Sequence, residues 1–152
     1  MSRTFLLLTV VLVALMAAGC MGGGAEPSQE EFAAQVVETR NRTDAALEHM
    51  TGARTYDDLL DRIDLAGDAA QAAADDLENA GAPSELEDQA DELVEALRAL
   101  GDELAATAEG LDDPQFEGST IEGLEFTNWN RAQRALDDLR EQGVDVPPLE
   151  RH

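Results

Sequence analysis

The chain has 152 residues, enough for one domain with a modest core, and aromatic residues make up only 4% of it. Its formal net charge is −23, from 33 acidic residues against ten basic ones, and every basic residue is arginine. This charge excludes a nucleic-acid-binding domain, because binding to phosphates needs a basic surface. It also disfavours adhesion to anionic lipid head groups. We interpret the acidic residues as a solvated surface, with specific cation binding as the alternative.

An apolar stretch of 14 residues that carries no charge, Phe5 to Ala18, follows Arg3. A membrane-spanning helix needs about 20 apolar residues, so this stretch is typical of a signal peptide rather than of a permanent span. We therefore predict that residues 1–19 form a secretory signal peptide.

Ala17, Ala18 and Gly19 lead directly to Cys20, the only cysteine, and this segment resembles the lipobox of bacterial lipoproteins. The resemblance implies that a signal peptidase recognises the small residues, cuts before Cys20 and leaves a diacylglycerol on its thiol. The alternative is ordinary signal cleavage that leaves a free thiol, since one cysteine cannot form a disulfide within the chain. Ala17 stands where the lipobox more often has Leu. We expect a lipid-anchored protein on the extracytoplasmic face of the cell membrane, with residues 20–27 as a flexible tether.

Four segments then carry the signals of helices. Polar residues followed three positions later by an acidic residue predict three helix starts: Ser28 with Glu31, Thr55 with Asp58, and Ser84 with Glu87. Glycine and proline predict the ends, at Gly52, at Gly81 with Pro83, near Gly110 and at Gly143. The fourth segment lies between Thr120 and Gln142, and Gly123 leaves its start open.

Apolar residues at spacings of three and four define one face of each segment. The first stripe is incomplete, because Thr39 and Thr43 stand in its middle. The third is the clearest and is heptad-like: Leu86, Ala90, Leu93, Leu97, Leu100, Leu104 and Leu111. The fourth presents Trp129, Ala132, Leu136 and Leu139. Beyond it, Pro147 and Pro148 exclude helix, and we expect the apolar residues of this extended tail to pack against the helices: Val144, Val146 and Leu149.

Short connections between long helices favour antiparallel neighbours. The sequence therefore predicts an all-α domain over residues 28–152, an antiparallel up-and-down four-helix bundle behind the signal peptide and the glycine-rich tether. A heptad-like stripe also suits a coiled coil between chains, but four segments in one chain favour a core within the chain.

Residues that enzymes commonly use are scarce. The chain has no lysine, no Glu-x-x-His pair, no nucleophile motif and no phosphate-binding loop. Of its two histidines, His152 ends the given sequence, and we place His49 near the carboxyl end of the first helix, where a cation suits the helix dipole. We predict that the protein is not an enzyme and has no cofactor besides its covalent lipid.

The candidate metal ligands are Asp112 and Asp113 with Glu117, because a predicted loop could wrap their oxygens around calcium. The other Asp-Asp doublets lie within predicted helices, where adjacent side chains diverge. The loop lacks the alternating acidic spacing of an EF-hand, so we predict no firm metal site.

A second candidate site stands out by composition. Phe126, Trp129 and Arg131 lie close together in a chain otherwise rich in Ala, Leu and acids, and Trp and Arg are enriched at binding hot spots. They predict a surface for a partner or a ligand. The alternative is structural, with Phe126 and Trp129 closing the end of the bundle against the loop that carries Phe116.

Two stretches, "ENAGAPSELEDQADELVEALRALGDELAATAEGL" and "FTNWNRAQRALDDLREQGVDVPPLERH", resemble a group of uncharacterised small acidic lipoproteins of actinobacteria. These share a lipobox, a Leu-rich helix after Pro-Ser, and a Trp-containing last helix before a Gly-Val-Asp-Val-Pro tail. Halophilic archaea also make acidic, lysine-poor lipoproteins. The resemblance implies an exported, membrane-tethered helical domain and no particular activity.

The interpretation we favour is a non-enzymatic interaction or structural module of the cell envelope, held by its lipid anchor and contacting another envelope protein. The alternative is a lipoprotein that binds a small ligand or a cation such as calcium.

Overall fold

The structure is a computed structural model that describes residues 26–111 and 126–150. The predicted signal peptide, lipobox and all but the last two residues of the tether lie outside the described residues. The described chain forms four helices and no strand, which confirms the predicted all-α fold. The helices are α1 (Gln29–Thr51), α2 (Tyr56–Ala80), α3 (Glu87–Gly110) and α4 (Thr127–Glu141).

The caps of α1 and α2 confirm two predicted helix starts. The Ser28 hydroxyl accepts a hydrogen bond from the Glu31 N–H at 3.3 Å, and the Glu31 carboxylate accepts one from the Ser28 N–H at 3.0 Å. The Thr55 hydroxyl likewise accepts a hydrogen bond from the Asp58 N–H at 3.2 Å. Each bond satisfies an N–H group that the first turn of a helix, or the residue before it, would otherwise leave without a partner.

Two glycines stop helices as predicted, since both adopt the left-handed backbone that other residues avoid. Gly81 follows α2 with a φ of 72° and Gly143 follows α4 with a φ of 91°. At the end of α4, the Gly143 N–H donates to the Arg140 carbonyl at 3.0 Å, and the Val144 N–H donates to the Leu139 carbonyl at 3.1 Å. This pair of bonds is a Schellman motif, which reverses the chain after α4.

The predicted capping box at the start of α3 is wrong. A turn precedes this helix, in which the Leu86 N–H donates to the Pro83 carbonyl at 2.8 Å, and α3 begins at Glu87 without a side-chain cap. The Ser84 N–H donates instead to the carboxylate of Glu26 in the tether. Because Ser84 lies within this turn, two residues before the N-cap position at Leu86, it stands too early to cap the helix.

Neighbouring helices are antiparallel, since along each contact the residue numbers rise on one helix as they fall on the other. Contacts join α1 with α2, α2 with α3 and α3 with α4, which is the predicted up-and-down order. The hydrogen-bonded pairs that show the directions are His49–Arg62 and Arg42–Asp76, Gln71–Asp102 and Glu78–Arg98, and Glu92–Arg131 and Glu103–Thr127.

The core consists of two clusters of buried side chains along the bundle. The tether-side cluster lies nearer the start of α1 and is built mainly on Phe32, Val36, Leu77, Leu93, Leu97, Leu136 and Leu139. The far cluster lies towards the end of α1 and is built mainly on Leu47, Met50, Leu59, Ile63, Leu100 and Leu104. The α3 and α4 members belong to the apolar faces predicted for the third and fourth segments, so helical periodicity identified this part of the core.

Two glycines face each other where α2 packs against α3. A methyl group added to Gly67 would lie 3.1 Å from the Gly101 carbonyl oxygen, and one added to Gly101 would lie 3.0 Å from the Gly67 carbonyl oxygen. Both distances are shorter than ordinary van der Waals contact. Glycine lets the two helix backbones approach closely here, and a larger residue would need a small shift of the facing backbone.

After the Schellman turn, residues 144–150 run back along the bundle; we call this segment the tail. Val144, Val146 and Leu149 are 2%, 2% and 5% exposed, which confirms that the tail packs against the helices. The tail contacts both α1 and α4 through the hydrogen bonds described below, so it links the first helix to the last.

Candidate functional site

Phe126 and Trp129 pack inward at the start of α4. Phe126 is partly buried and lies against the far cluster. Trp129, also partly buried, lies against both clusters. The neighbouring Asn128 Nδ2 donates to the Ala99 carbonyl at 3.2 Å, which places this turn beside the middle of α3 rather than at an end of the bundle. The Phe116 loop lies outside the described residues.

Arg131 lies next to them and forms ion pairs with α3. Its Nε donates to Glu92 Oε1 at 2.7 Å, and its Nη2 donates to Glu92 Oε2 at 3.0 Å and to Glu95 Oε2 at 2.9 Å. The Arg131 guanidinium holds the pKa of the Glu92 carboxyl below its usual range, chiefly through these hydrogen bonds. Arg131 therefore joins α4 to α3, and a ligand at this position would compete with two carboxylates.

The structure brings Phe126, Trp129 and Arg131 together at the start of α4, where each contacts the rest of the bundle. The other predicted site residues lie outside the described residues: the lipidation site Cys20, the peptidase residues Ala17, Ala18 and Gly19, and the candidate metal ligands Asp112, Asp113 and Glu117. Among the residues that are described, no group of three His, Cys, Asp or Glu side chains is placed to hold a metal ion. In the same part of the chain, no helix is long and apolar enough to cross a membrane.

A set of buried polar side chains on α1 was not predicted as a site. Its members occupy one face of the helix, and their exposed fractions are 4% for Thr39, 9% for Arg40, 1% for Thr43 and 9% for Asp44. The Thr43 hydroxyl donates to the Thr39 carbonyl at 3.0 Å, which satisfies it within the helix. Arg40 and Asp44 instead reach the tail.

Arg40 and Asp44 bind the main chain of the tail. The Arg40 Nε donates to the Pro148 carbonyl at 2.7 Å, and its Nη2 donates to the same oxygen. One Asp44 carboxylate oxygen accepts a hydrogen bond from the Glu150 N–H at 2.7 Å, while the other lies 3.5 Å from Arg40 Nη1. The two charges therefore partner each other as well as the tail, which offsets the cost of burying them.

The opposite helix supplies a third contact. Gln133 of α4 accepts a hydrogen bond from the Leu149 N–H through its side-chain oxygen at 2.9 Å, and its Nε2 donates to Asp137 at 3.1 Å. We call this surface the tail groove. It consists of Arg40, Asp44 and Gln133 together with the side chains of the tether-side cluster, in which the apolar residues of the tail are buried.

Comparison with protein-family models, with curated proteins and with solved structures finds no match to this chain.

The tail groove binds the extended tail of its own chain through the tail's backbone. A carbonyl at position 148 and N–H groups at positions 149 and 150 are each bound by a side chain, and Val146 and Leu149 fill apolar space beneath. Recognition of this type combines main-chain hydrogen bonds with side-chain pockets, as in grooves that bind extended peptides. Thr39 and Thr43, which interrupt the apolar stripe of α1, adjoin Arg40 and Asp44 in the sequence and are buried with them.

Proposed function

We propose that this protein is a lipid-anchored lipoprotein of the extracytoplasmic membrane face that acts as a non-enzymatic interaction or structural module of the cell envelope. The lipobox-like segment that ends at Cys20 supports the anchor, and the helical domain beyond it supports the role of a displayed module. The covalent lipid is the only cofactor in this proposal, and another envelope protein is the partner.

The observation that carries the proposal is the distance along the chain between the anchor and the folded domain. The carboxylate of Glu26 binds the Ser84 N–H, and the α1 cap follows at Ser28. Only six residue steps separate Cys20 from Glu26, and a chain spans at most about 3.6 Å per residue, so a lipid on Cys20 would hold the domain within about 22 Å of the membrane.

The negative charge of the domain determines how it would lie relative to the membrane surface. A strongly acidic body does not adhere to anionic head groups, because like charges repel across a distance set by the ionic strength. The tether would therefore keep the bundle near the membrane while its sides stay open to other envelope proteins. In this proposal the partner contacts the parts of Phe126, Trp129 and Arg131 that stay exposed at the start of α4, beyond their contacts with the core and with α3.

The anchor is tested by detergent phase partitioning of the full chain expressed in a bacterial host. We expect the unaltered protein in the detergent phase and the Cys20→Ser variant in the aqueous phase, because only a thiol accepts the diacylglycerol. Met21→Ser is the matched control, since it changes the adjacent residue and keeps the thiol. Detergent partitioning of Cys20→Ser equal to that of the unaltered chain would show that the anchor is not on Cys20.

A further inference from the structure

The tether is fastened to the bundle at a point outside α1. The Ser84 N–H, in the turn between α2 and α3, donates a hydrogen bond to the carboxylate of Glu26. Hydrogen bonds to the Ser84 backbone and side chain hold the pKa of the Glu26 carboxyl below its usual range, so this carboxylate is charged at neutral pH. The cap of α1 follows at Ser28. The chain therefore reaches the bundle at two neighbouring points, the α2–α3 turn and the start of α1.

Both points lie at the same end of the bundle, which we call the tether-side end. Because neighbouring helices are antiparallel, α1 and α3 begin at this end, and α2 and α4 end there. With 24 residues, α3 extends about 36 Å away from it at about 1.5 Å per residue. The opposite end, where α1 and α3 end, is therefore far from the point of attachment.

Exposed carboxylates cover the sides of the bundle. On α2, Asp57, Asp61, Asp64 and Asp68 recur at spacings of three and four residues, and all four are exposed. Charges act on one another over about 10 Å at ordinary ionic strength. A bundle that lay on this side would bring the four carboxylates against anionic head groups together, whereas an upright bundle keeps them away from the surface. Repulsion from anionic lipid therefore favours the upright position.

We propose that the tether-side end is the membrane-facing surface of this protein. The bond between Glu26 and Ser84 selects the end that faces the lipid, and the opposite end of the bundle points away from the membrane. The inference rests on the proposed lipid anchor at Cys20 and adds an orientation to it.

This orientation gives the proposed partner surface a height above the membrane. At the start of α4, the Asn128 side chain binds the Ala99 carbonyl, and Ala99 lies 12 positions beyond Glu87, the first residue of α3. The start of α4 therefore lies about 18 Å beyond the tether-side end. An envelope protein that contacts it meets the side of the bundle about halfway along its length.

The test measures the height of two positions on α3 above a membrane. Asp88 near the tether-side end and Glu109 near the opposite end are both exposed, and they lie 21 positions apart, or about 32 Å along the helix axis. Asp88→Cys and Glu109→Cys are each made in the full chain and labelled with a donor dye; the lipid occupies the Cys20 thiol, so the introduced thiol alone reacts. The lipidated chains are reconstituted in vesicles of phosphatidylglycerol and phosphatidylcholine that carry an acceptor-labelled lipid. From energy transfer, we expect the distance of closest approach to the acceptors to be about 32 Å greater at position 109 than at position 88.

Failure of the anchor and failure of the orientation give different results. Chains that do not float with the vesicles would overturn the anchor and the orientation with it. Chains that float but give equal distances at the two positions would overturn the orientation alone, because the bundle then lies along the membrane or has no fixed direction.

Glu26→Ala shows whether the bond to Ser84 sets the orientation. This variant removes the acceptor of the bond, so we expect the difference in distance between the two positions to shrink. Glu30→Ala is the matched control, since it removes an equal charge from the exposed first turn of α1, keeps the bond to Ser84 and should keep the full difference. A full difference in Glu26→Ala as well would overturn the role of this bond.

Discussion

Replacement of Gly101 by Ala tests whether direct contact between the backbones of α2 and α3 sets the packing of the bundle. The new methyl group would lie 3.0 Å from the Gly67 carbonyl oxygen and 2.6 Å from Gln71 Cγ. Gln71 is exposed and can rotate away at the loss of its hydrogen bond to Asp102. The carbonyl oxygen belongs to the α2 backbone, so that contact is relieved only if the helices move apart.

Two terms of opposite sign decide the size of the effect. Ala is favoured over Gly within a helix by about 1 kcal/mol, which stabilises the variant. Overpacking of a well-packed interface costs about 1–3 kcal/mol, which destabilises it. We therefore expect Gly101→Ala to lower the free energy of unfolding by about 1 kcal/mol. Gly110→Ala, at the end of the same helix with open space around it, is the matched control and keeps only the favourable term.

The assay is urea unfolding of residues 21–152 followed by circular dichroism at fixed KCl, with stability taken from the midpoint at constant m-value. Gly67→Ala presses on the same contact, so the double variant with Gly101→Ala should lose less stability than the two single losses added together. If Gly101→Ala is as stable as Gly110→Ala, or more stable, direct backbone contact does not set the packing of α2 on α3. That result would show that the space between the two backbones accommodates a methyl group.

Three further predictions address the candidate sites. Arg131→Gln removes the charged donors that lower the pKa of Glu92, so this pKa should rise in a carboxyl-carbon NMR titration. Because the pKa of Glu92 is lower in the folded state than in the unfolded state, the pair stabilises the fold above about pH 4.3. This stabilisation is lost as the pH falls through the lowered pKa. Trp129→Ala should cost about 2–4 kcal/mol in urea unfolding, because both core clusters lose a neighbour, and unchanged stability would instead favour a role at the surface. The melting temperature of residues 21–152 should rise with KCl, which screens the acidic surface, and should not rise further with calcium at constant ionic strength. A saturable rise with calcium would favour the cation-binding alternative.

The helices could be predicted from the sequence because their signals are local. The Ser28 and Thr55 caps and the Gly143 stop each depend on residues within five positions, and the structure confirms them. The α3 start shows the limit of this approach. Ser84 with Glu87 matches a capping box, but a turn after Pro83 comes between the two and moves the helix start.

The tail groove could not be predicted in the same way. Arg40 and Asp44 are spaced by four residues, which is the pattern of an ordinary ion pair on a solvated helix face. Their burial depends on Pro148 and Glu150, which lie 108 and 106 positions further along the chain. No local pattern encodes a contact at such separation. The candidate surface at Arg131 has the same limitation, because its partner Glu92 was one of many acidic residues on α3.

The position of the tail has a consequence for the order in which the protein folds. The extensive helix contacts, α1 with α2, α2 with α3 and α3 with α4, join elements that are neighbours in the chain, so each can form as soon as both partners have been synthesised. The contact between α1 and the tail joins the most distant described segments, and long-range contacts of this kind form late because the intervening chain must first be ordered. Until the tail docks, the Arg40 and Asp44 face of α1 stays open to water, so amide hydrogen exchange around these residues should become protected last during refolding.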